Sequence, residues 1–132
     1  MVFSIHVTKK ISNIELHPDA PTSFKMECLA TAKVYLHPMM GEHFGIAPAE
    51  ALAAGLIPVV HTKSGTWTDI CKEGLYGYGW SKPDPDIVAE LVQNGIETWE
   101  KSKMASKEFL EEFSPRIFAK RVLEIVNKVI AK

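Results

Sequence analysis

The sequence predicts an α/β fold, a Rossmann-like parallel sheet flanked by helices, and three observations carry that prediction. Short apolar runs such as Val34-Tyr35-Leu36 and Ile57-Pro58-Val59-Val60 alternate with longer stretches of helical periodicity, the pattern of βαβ units. Turn and cap residues fall between the runs: His17-Pro18-Asp19-Ala20-Pro21, His37-Pro38, Gly55 and Ser114-Pro115. Finally, 132 residues with 46% apolar and 23% charged side chains suit one globular domain with a proper core. A single domain over 1–132 is therefore expected, with its C-terminal helices from about residue 100.

Taken in order, Phe3 to Val7 and Ile14 to Leu16 are candidate strands. A helix is predicted over Thr22 to Thr31, with Phe24, Cys28 and Leu29 on one face at i, i+4 and i+5. Val34 to Leu36 is a short β-branched and aromatic strand, ended by His37-Pro38. The next helix, Ala47 to Ala54, stops at Gly55. A buried strand follows over Ile57 to Val60, with Pro58 near its start, where a missing N–H does least harm. His61 to Gly65 is a loop, Trp67 to Cys71 a brief helix, and Gly74 to Trp80 a glycine-spaced strand. Helices then begin near Pro83 and again at Met104 to Phe113. Ser114 caps the last one, with Pro115 in its first turn.

Net charge is −1, so no bulk electrostatic footprint for nucleic acid exists, and no nucleic-acid partner is expected. No apolar run approaches the roughly 18–20 residues that span a bilayer. MVFSIHVTKK has no long apolar core with a small-residue cleavage site, so no signal peptide is expected. Cys28 and Cys71 form no CxxC pair, and a reduced, cytoplasmic protein is the natural reading.

The stretch from Gly41 to Gly55 carries the chemistry. A strand ends at Leu36, a loop with a glutamate follows, and a helix begins near Ala47 at the C-terminal edge of the sheet, where open α/β sheets bind ligands. Amides around Gly45, Ile46 and Ala47 lack intrahelical partners, while Pro48 needs none. Free donors at the positive helix end make a phosphate site, and Gly45 allows close approach. Glu42 and Glu50 flank it. Carboxylates accept from paired sugar hydroxyls but repel phosphate, so a nucleotide sugar, with hydroxyls at both ends and phosphate in the middle, has the right shape. A purely structural role fits the same residues: Glu42 as a solvated loop residue and Glu50 as a favourable charge near the helix dipole.

The words E-x-F-G-x-x-x-x-E and A-x-A-A-G followed by a strand resemble the retaining glycosyltransferases of family 4, which have the GT-B fold. The similarity runs from about Asn13 to Pro115 and takes in the His61 to Ile70 loop, the Gly-Tyr-Gly-Trp strand and Phe113-Ser114-Pro115. EHFGI, AAG and H-x-x-SG-x-x-x-DI look most like GDP-mannose-dependent α-1,2-mannosyltransferases that extend dolichol-linked oligosaccharide. The resemblance implies that Glu42, as catalytic carboxylate, contacts donor sugar hydroxyls and that Glu50 holds the ribose. It also implies that the Phe44-Gly45-Ile46 backbone holds diphosphate and sugar, and that the base packs near Leu16, His17 and Pro18. No cofactor is expected; the donor is a nucleoside-diphosphate sugar, GDP-mannose or a UDP-sugar. Asp69 stands where many members have glutamate.

A complete enzyme of this fold has two Rossmann-like domains with the active site between them. The chain is expected to be the donor half, truncated at its N-terminal side, with an N-terminal-half chain as partner and no activity alone. The family's Arg and Lys pair, which neutralises the leaving diphosphate, precedes the matched region, and Lys9-Lys10 lacks the context to replace it. Alternatives are a stand-alone binding or scaffold domain without transferase activity, or another GT-B-shaped enzyme such as a nucleotide-sugar epimerase.

Other features have simpler readings. Asp84-Pro85-Asp86 matches a metal-binding D-x-D but sits where a helix cap belongs, and none of His6, His17, His37, His43 and His61 has zinc-site spacing, so no metal is expected. His37 and His43 bracket Glu42, Ser64-Gly65-Thr66 is a hydroxyl-rich turn, and Trp67 is read as packing. From Lys101 onward eight residues are basic and four acidic. This tail fits docking on the sheet, a homodimer, or peripheral contact with the cytoplasmic face of a membrane.

Overall fold

The computed structural model describes residues 13–101 and 107–131. Its elements are α1 (Thr22–Thr31), β1 (Val34–Leu36), α2 (Ile46–Ala53), β2 (Ile57–His61), β3 (Tyr78–Trp80), α3 (Pro85–Lys101), α4 (Lys107–Glu112) and α5 (Pro115–Ile130). A π-helical turn over Thr66–Ile70 and a 3-10 turn over Lys72–Gly74 link β2 to β3. The strands form a parallel sheet in the order β1-β2-β3. Val34 lies opposite Ile57 and Leu36 opposite Val59; Val59 pairs with Tyr78 and His61 with Trp80. This is the parallel α/β sheet that the alternating pattern predicts.

Side-chain alternation divides the sheet into two faces. Leu36, Val59, His61, Tyr78 and Trp80 share the α3 side, where the Tyr78 hydroxyl and Thr98 of α3 are 2.7 Å apart. Tyr35, Pro58 and Val60 share the other side with α2 and the π-helical turn. All five β2 residues are buried, as a central strand between helical layers requires. On the α2 side Leu52 and Ile70 are fully buried against Phe109 of α4, with Ala49 and Tyr76 packed around them. This cluster anchors α2, so the core of the protein lies directly beneath the segment that carries the glutamates.

Several boundaries differ from the sequence expectation. α2 begins at Ile46 and ends at Ala53, one residue earlier at each end, and β2 runs on to His61. β3 is confined to Tyr78–Trp80 because Lys72 and Glu73, at φ +47° and +54°, turn the chain tightly before it. Ile14 to Leu16 forms no strand, and Phe3 to Val7 lies outside the described residues, as do the first residues of the helix expected from Met104. In α1 Cys28 is exposed, and no residue of the helix is buried, so its apolar face only leans on the domain. Cys71 is buried, and burial pushes its thiol up to about 12, so it stays a protonated packing residue. The Trp67 ring covers Gly74 and Gly79, as a packing role requires. α5 does not dock on the sheet: Phe118, Leu123, Ile125, Val129 and Ile130 are all more than half exposed.

The caps of the C-terminal helices follow the sequence signals. Asp84 Oδ1 accepts from the amides of Asp86 and Ile87, so the D-x-D is a helix cap. Ser114 Oγ accepts from the Ile117 amide at 3.3 Å, with Pro115 following. Ser114→Ala is expected to cost about 1 kcal/mol, read as a lowered urea midpoint with unchanged slope.

Glu112 ties α4 to the 3-10 turn and to α5. Lys72 Nζ lies 3.1 Å and Arg121 Nη2 3.4 Å from its Oε1. The hydrogen bond from Lys72 holds the carboxyl below its ordinary value, against an opposing effect of burial and with help from Arg121. A carboxyl lowered on folding stabilises the fold fully above its unfolded pKa. That contribution is lost as pH falls through the folded value. Melting of Glu112→Gln between neutral and acid pH is therefore expected to show a shallower acid loss than the parent.

Candidate functional site

The site is built where β1 and β2 end. Tyr35 and His37, two residues apart, project to the α2 side with their rings stacked at 6.1 Å. The chain then turns through Gly41 and reaches Glu42. Its carboxylate accepts from the His43 amide at 3.0 Å through Oε1, while Oε2 lies 3.5 Å from His37 Nε2. That imidazole nitrogen is buried and makes no hydrogen bond within the protein. The imidazole thus backs the carboxylate from the sheet side and limits where it can stand.

Gly45 follows at φ +87°, a left-handed conformation that disfavours any Cβ, and here a Cβ would also lie 2.5 Å from Thr66 Oγ1. It is the N-cap residue of α2 and has no side chain to occupy the helix amides, so those at Ile46 and Ala47 stay available. Pro48 sits buried in the first turn, and the first intrahelical bond closes from the Ala49 amide to the Gly45 carbonyl at 3.1 Å. Glu50 lies a turn further on. The helix thus begins at an open, donor-rich end with a carboxylate before it and another after it.

Both carboxylates act on one group: the Tyr35 hydroxyl is pushed up first by burial and then by the charges of Glu50 and Glu42. Tyr35 therefore feels the charge of both motif glutamates, a role the strand reading did not assign to it. Its signal in the sequence is the alternation that puts residues 35 and 37 on one face.

Glu50 has a partner that local spacing could not reveal. Lys25 of α1 lies 3.0 Å and 3.1 Å from its two carboxylate oxygens, a contact across 25 residues. Both side chains are about half exposed, so the pair leaves Glu50 within reach of solvent and ligand. His17 packs at a tilt against Phe24, the neighbour of Lys25, with ring centroids 4.2 Å apart. Through α1 the structure thus connects the His17-Pro18 turn with Glu50. Phe44 packs edge-on against Phe113 at 5.5 Å, while Ile46 stays exposed.

An open cleft of about 530 Å³ lies between the two loops that leave β1 and β2. Glu42 and His43 line one wall, and Lys63, Ser64 and Thr68 line the other. Its size fits a sugar, and its walls offer acceptors, hydroxyls and one cation. Among the described residues no three His, Cys, Asp or Glu side chains are grouped to hold a metal ion, and no helix is long and apolar enough to cross a membrane.

Comparison with known proteins shows the family. Residues 5–110 match the family model described as "Glycosyl transferases group 1". A GDP-Man:Man(3)GlcNAc(2)-PP-Dol alpha-1,2-mannosyltransferase of Yarrowia lipolytica is 46% identical over 52 residues, covering 39% of the chain and 8% of that protein. The enzyme of the same name from Neurospora crassa is 29% identical over 140 residues, covering 99% of the chain and 24% of its own length. The alpha-1,3/1,6-mannosyltransferase alg-2 of Neurospora crassa is 30% identical over 117 residues, 83% of the chain and 24% of that protein. The chain therefore spans at most about a quarter of the length of these relatives. No solved structure matches it.

Proposed function

The chain belongs to the group 1 glycosyl transferases, and from that premise we propose that it is the donor-binding half of a retaining hexosyltransferase. The carrying observation is the N-terminus of α2, flanked by Glu42 and Glu50 and left without a side-chain cap because its N-cap is Gly45. The donor in this reading is a nucleoside-diphosphate sugar, with GDP-mannose favoured by the names of the relatives.

Each part of that ligand has a counterpart. Amides at Gly45 and Ile46 hold the diphosphate at the positive end of α2. Glu42 accepts from the sugar hydroxyls and orients the anomeric carbon. Glu50 accepts from the ribose; a carboxylate has about four acceptor positions, so Lys25 leaves room for two hydroxyls. The turn at His17 and Pro18 takes the base, beside Phe24 and α1. The backbone at Phe44 closes the sugar end of the pocket.

Transfer needs more than donor binding. Stabilising the charge that develops on the leaving diphosphate is usually the largest catalytic contribution. In this reading cations and an acceptor site come from an N-terminal half, which makes that half the functional partner. The work is placed in the cytoplasm, at the membrane face where a lipid-linked acceptor would present its sugar.

The test is a transfer assay with labelled GDP-mannose and a lipid-diphosphate oligosaccharide acceptor. The chain alone is expected to form no product, and the chain joined to the N-terminal half of a mannosyltransferase relative is expected to form it. Product from the chain alone would contradict the requirement for a partner half. Failure of the joined protein, where the intact relative works, would contradict the donor-half assignment.

A further inference from the structure

We infer that Thr66 and Gly65 are positioning residues: they clasp the Glu42–Gly45 loop from the neighbouring loop and thereby set the geometry of the donor site. The role rests on the reading of that loop as the donor site. The contacts that carry it are independent of any ligand.

The Phe44 carbonyl precedes the N-cap Gly45 and so lies outside the hydrogen-bond ladder of α2. The Thr66 hydroxyl donates to it at 2.9 Å. Thr66 is fully buried, so water cannot take its place. Next to it the Gly65 amide donates to the Glu42 carbonyl at 2.8 Å. Two successive residues after β2 thus hold carbonyls on either side of His43.

The approach is close enough to dictate residue type. Gly65 has an ordinary φ of −60°, so it is not needed for conformational freedom. It is needed for space, because a Cβ there would sit 1.4 Å from the His43 carbonyl oxygen. From the other side, Gly45 leaves room for Thr66 Oγ1. Where the Glu42 carboxylate stands and where the Gly45 and Ile46 amides point are consequently decided by residues that need not touch the ligand.

Thr66→Val keeps the volume and removes the donor, leaving the Phe44 carbonyl unpaired in a dry site. Thr66→Ser keeps the donor. By calorimetry on the full chain, Thr66→Val is expected to weaken GDP-mannose about tenfold and Thr66→Ser less than about twofold. In a Glu42→Ala background the same Thr66→Val change should cost no more than about threefold, because the carboxylate it positions is gone. Equal losses in both backgrounds, or equal losses for valine and serine, would overturn the positioning role.

A ligand-free readout separates this inference from the donor-site reading. In amide NMR spectra Thr66→Val should move the Glu42, His43 and Gly45 resonances and leave those of Ser114 to Ile117 in place. Unmoved loop resonances would overturn the clasp. Wild-type chain that binds no GDP-mannose would overturn the donor-site reading, while the spectra would still decide the clasp. If the valine variant does not give a folded spectrum, Thr66→Ala carries the same two predictions.

Discussion

Glu50→Ala is expected to weaken GDP and GDP-mannose alike, by roughly 10- to 100-fold, the loss of hydrogen bonds to one charged group. Glu42→Ala is expected to weaken GDP-mannose over the same range and to leave GDP within about twofold, since the proposed contact of Glu42 is with the sugar alone. The contrast matters more than either number. Removing Glu50 frees Lys25, which is about half exposed and can be solvated, so little structural cost should confuse the result. Removing Glu42 leaves the His43 amide to solvent at the cleft. Isothermal titration of the two variants with both ligands reads the four affinities. Equal effects of Glu42→Ala on GDP and GDP-mannose would contradict the sugar contact, and an unchanged GDP affinity in Glu50→Ala would remove the ribose role.

The second large effect is on stability. Leu52 is fully buried between Ile70 and Phe109, two residues past Glu50 on the same helix. Leu52→Ala should cost roughly 2–5 kcal/mol, combining lost transfer energy with the cavity left in a close-packed layer. Because this cluster holds α2 down, the variant is also expected to lose ligand affinity as α2 loosens. Urea unfolding reads the first effect. A cost below about 1 kcal/mol would show that α2 is held mainly by other contacts.

The two predictions mark the two levels at which the sequence was legible. The motif segment could be read because its chemistry is local. Gly45, Pro48, Glu50 and Gly55 lie within a dozen residues of one another, and each has a specific effect on a helix and its ends. The capping serine before Pro115 and the capping Asp84 were legible for the same reason. The parallel sheet followed from alternation and from the separation of its strands by helical pattern.

What escaped was long-range. Lys25 reaches Glu50 across 25 residues and Thr66 reaches Phe44 across 22, and neither has a periodic signature. The positive φ of Lys72 and Glu73 made the chain before β3 a tight turn, which shortened a strand that glycine and aromatic spacing had suggested. For α1, three apolar residues at helical spacing marked one face, of which Phe24 and Leu29 are half-buried and Cys28 is exposed. α5 shows the reverse case: its apolar periodicity predicted the helix correctly and gave no information on what its face meets.

The charges of both motif glutamates, after burial, raise the Tyr35 hydroxyl. The proposed ligand, a nucleoside-diphosphate sugar, carries hydroxyls at two separated positions and negative charge between them, which is what two carboxylates around an open helix N-terminus would select.

The measurement that tests this most directly is calorimetric titration of the chain with GDP, GDP-mannose, UDP and UDP-glucose, with EDTA present. Saturable binding of one nucleotide class over the other is expected, tighter for its sugar conjugate than for the bare diphosphate, and unaffected by the chelator. No binding of any of the four at millimolar concentration would contradict the donor-site assignment.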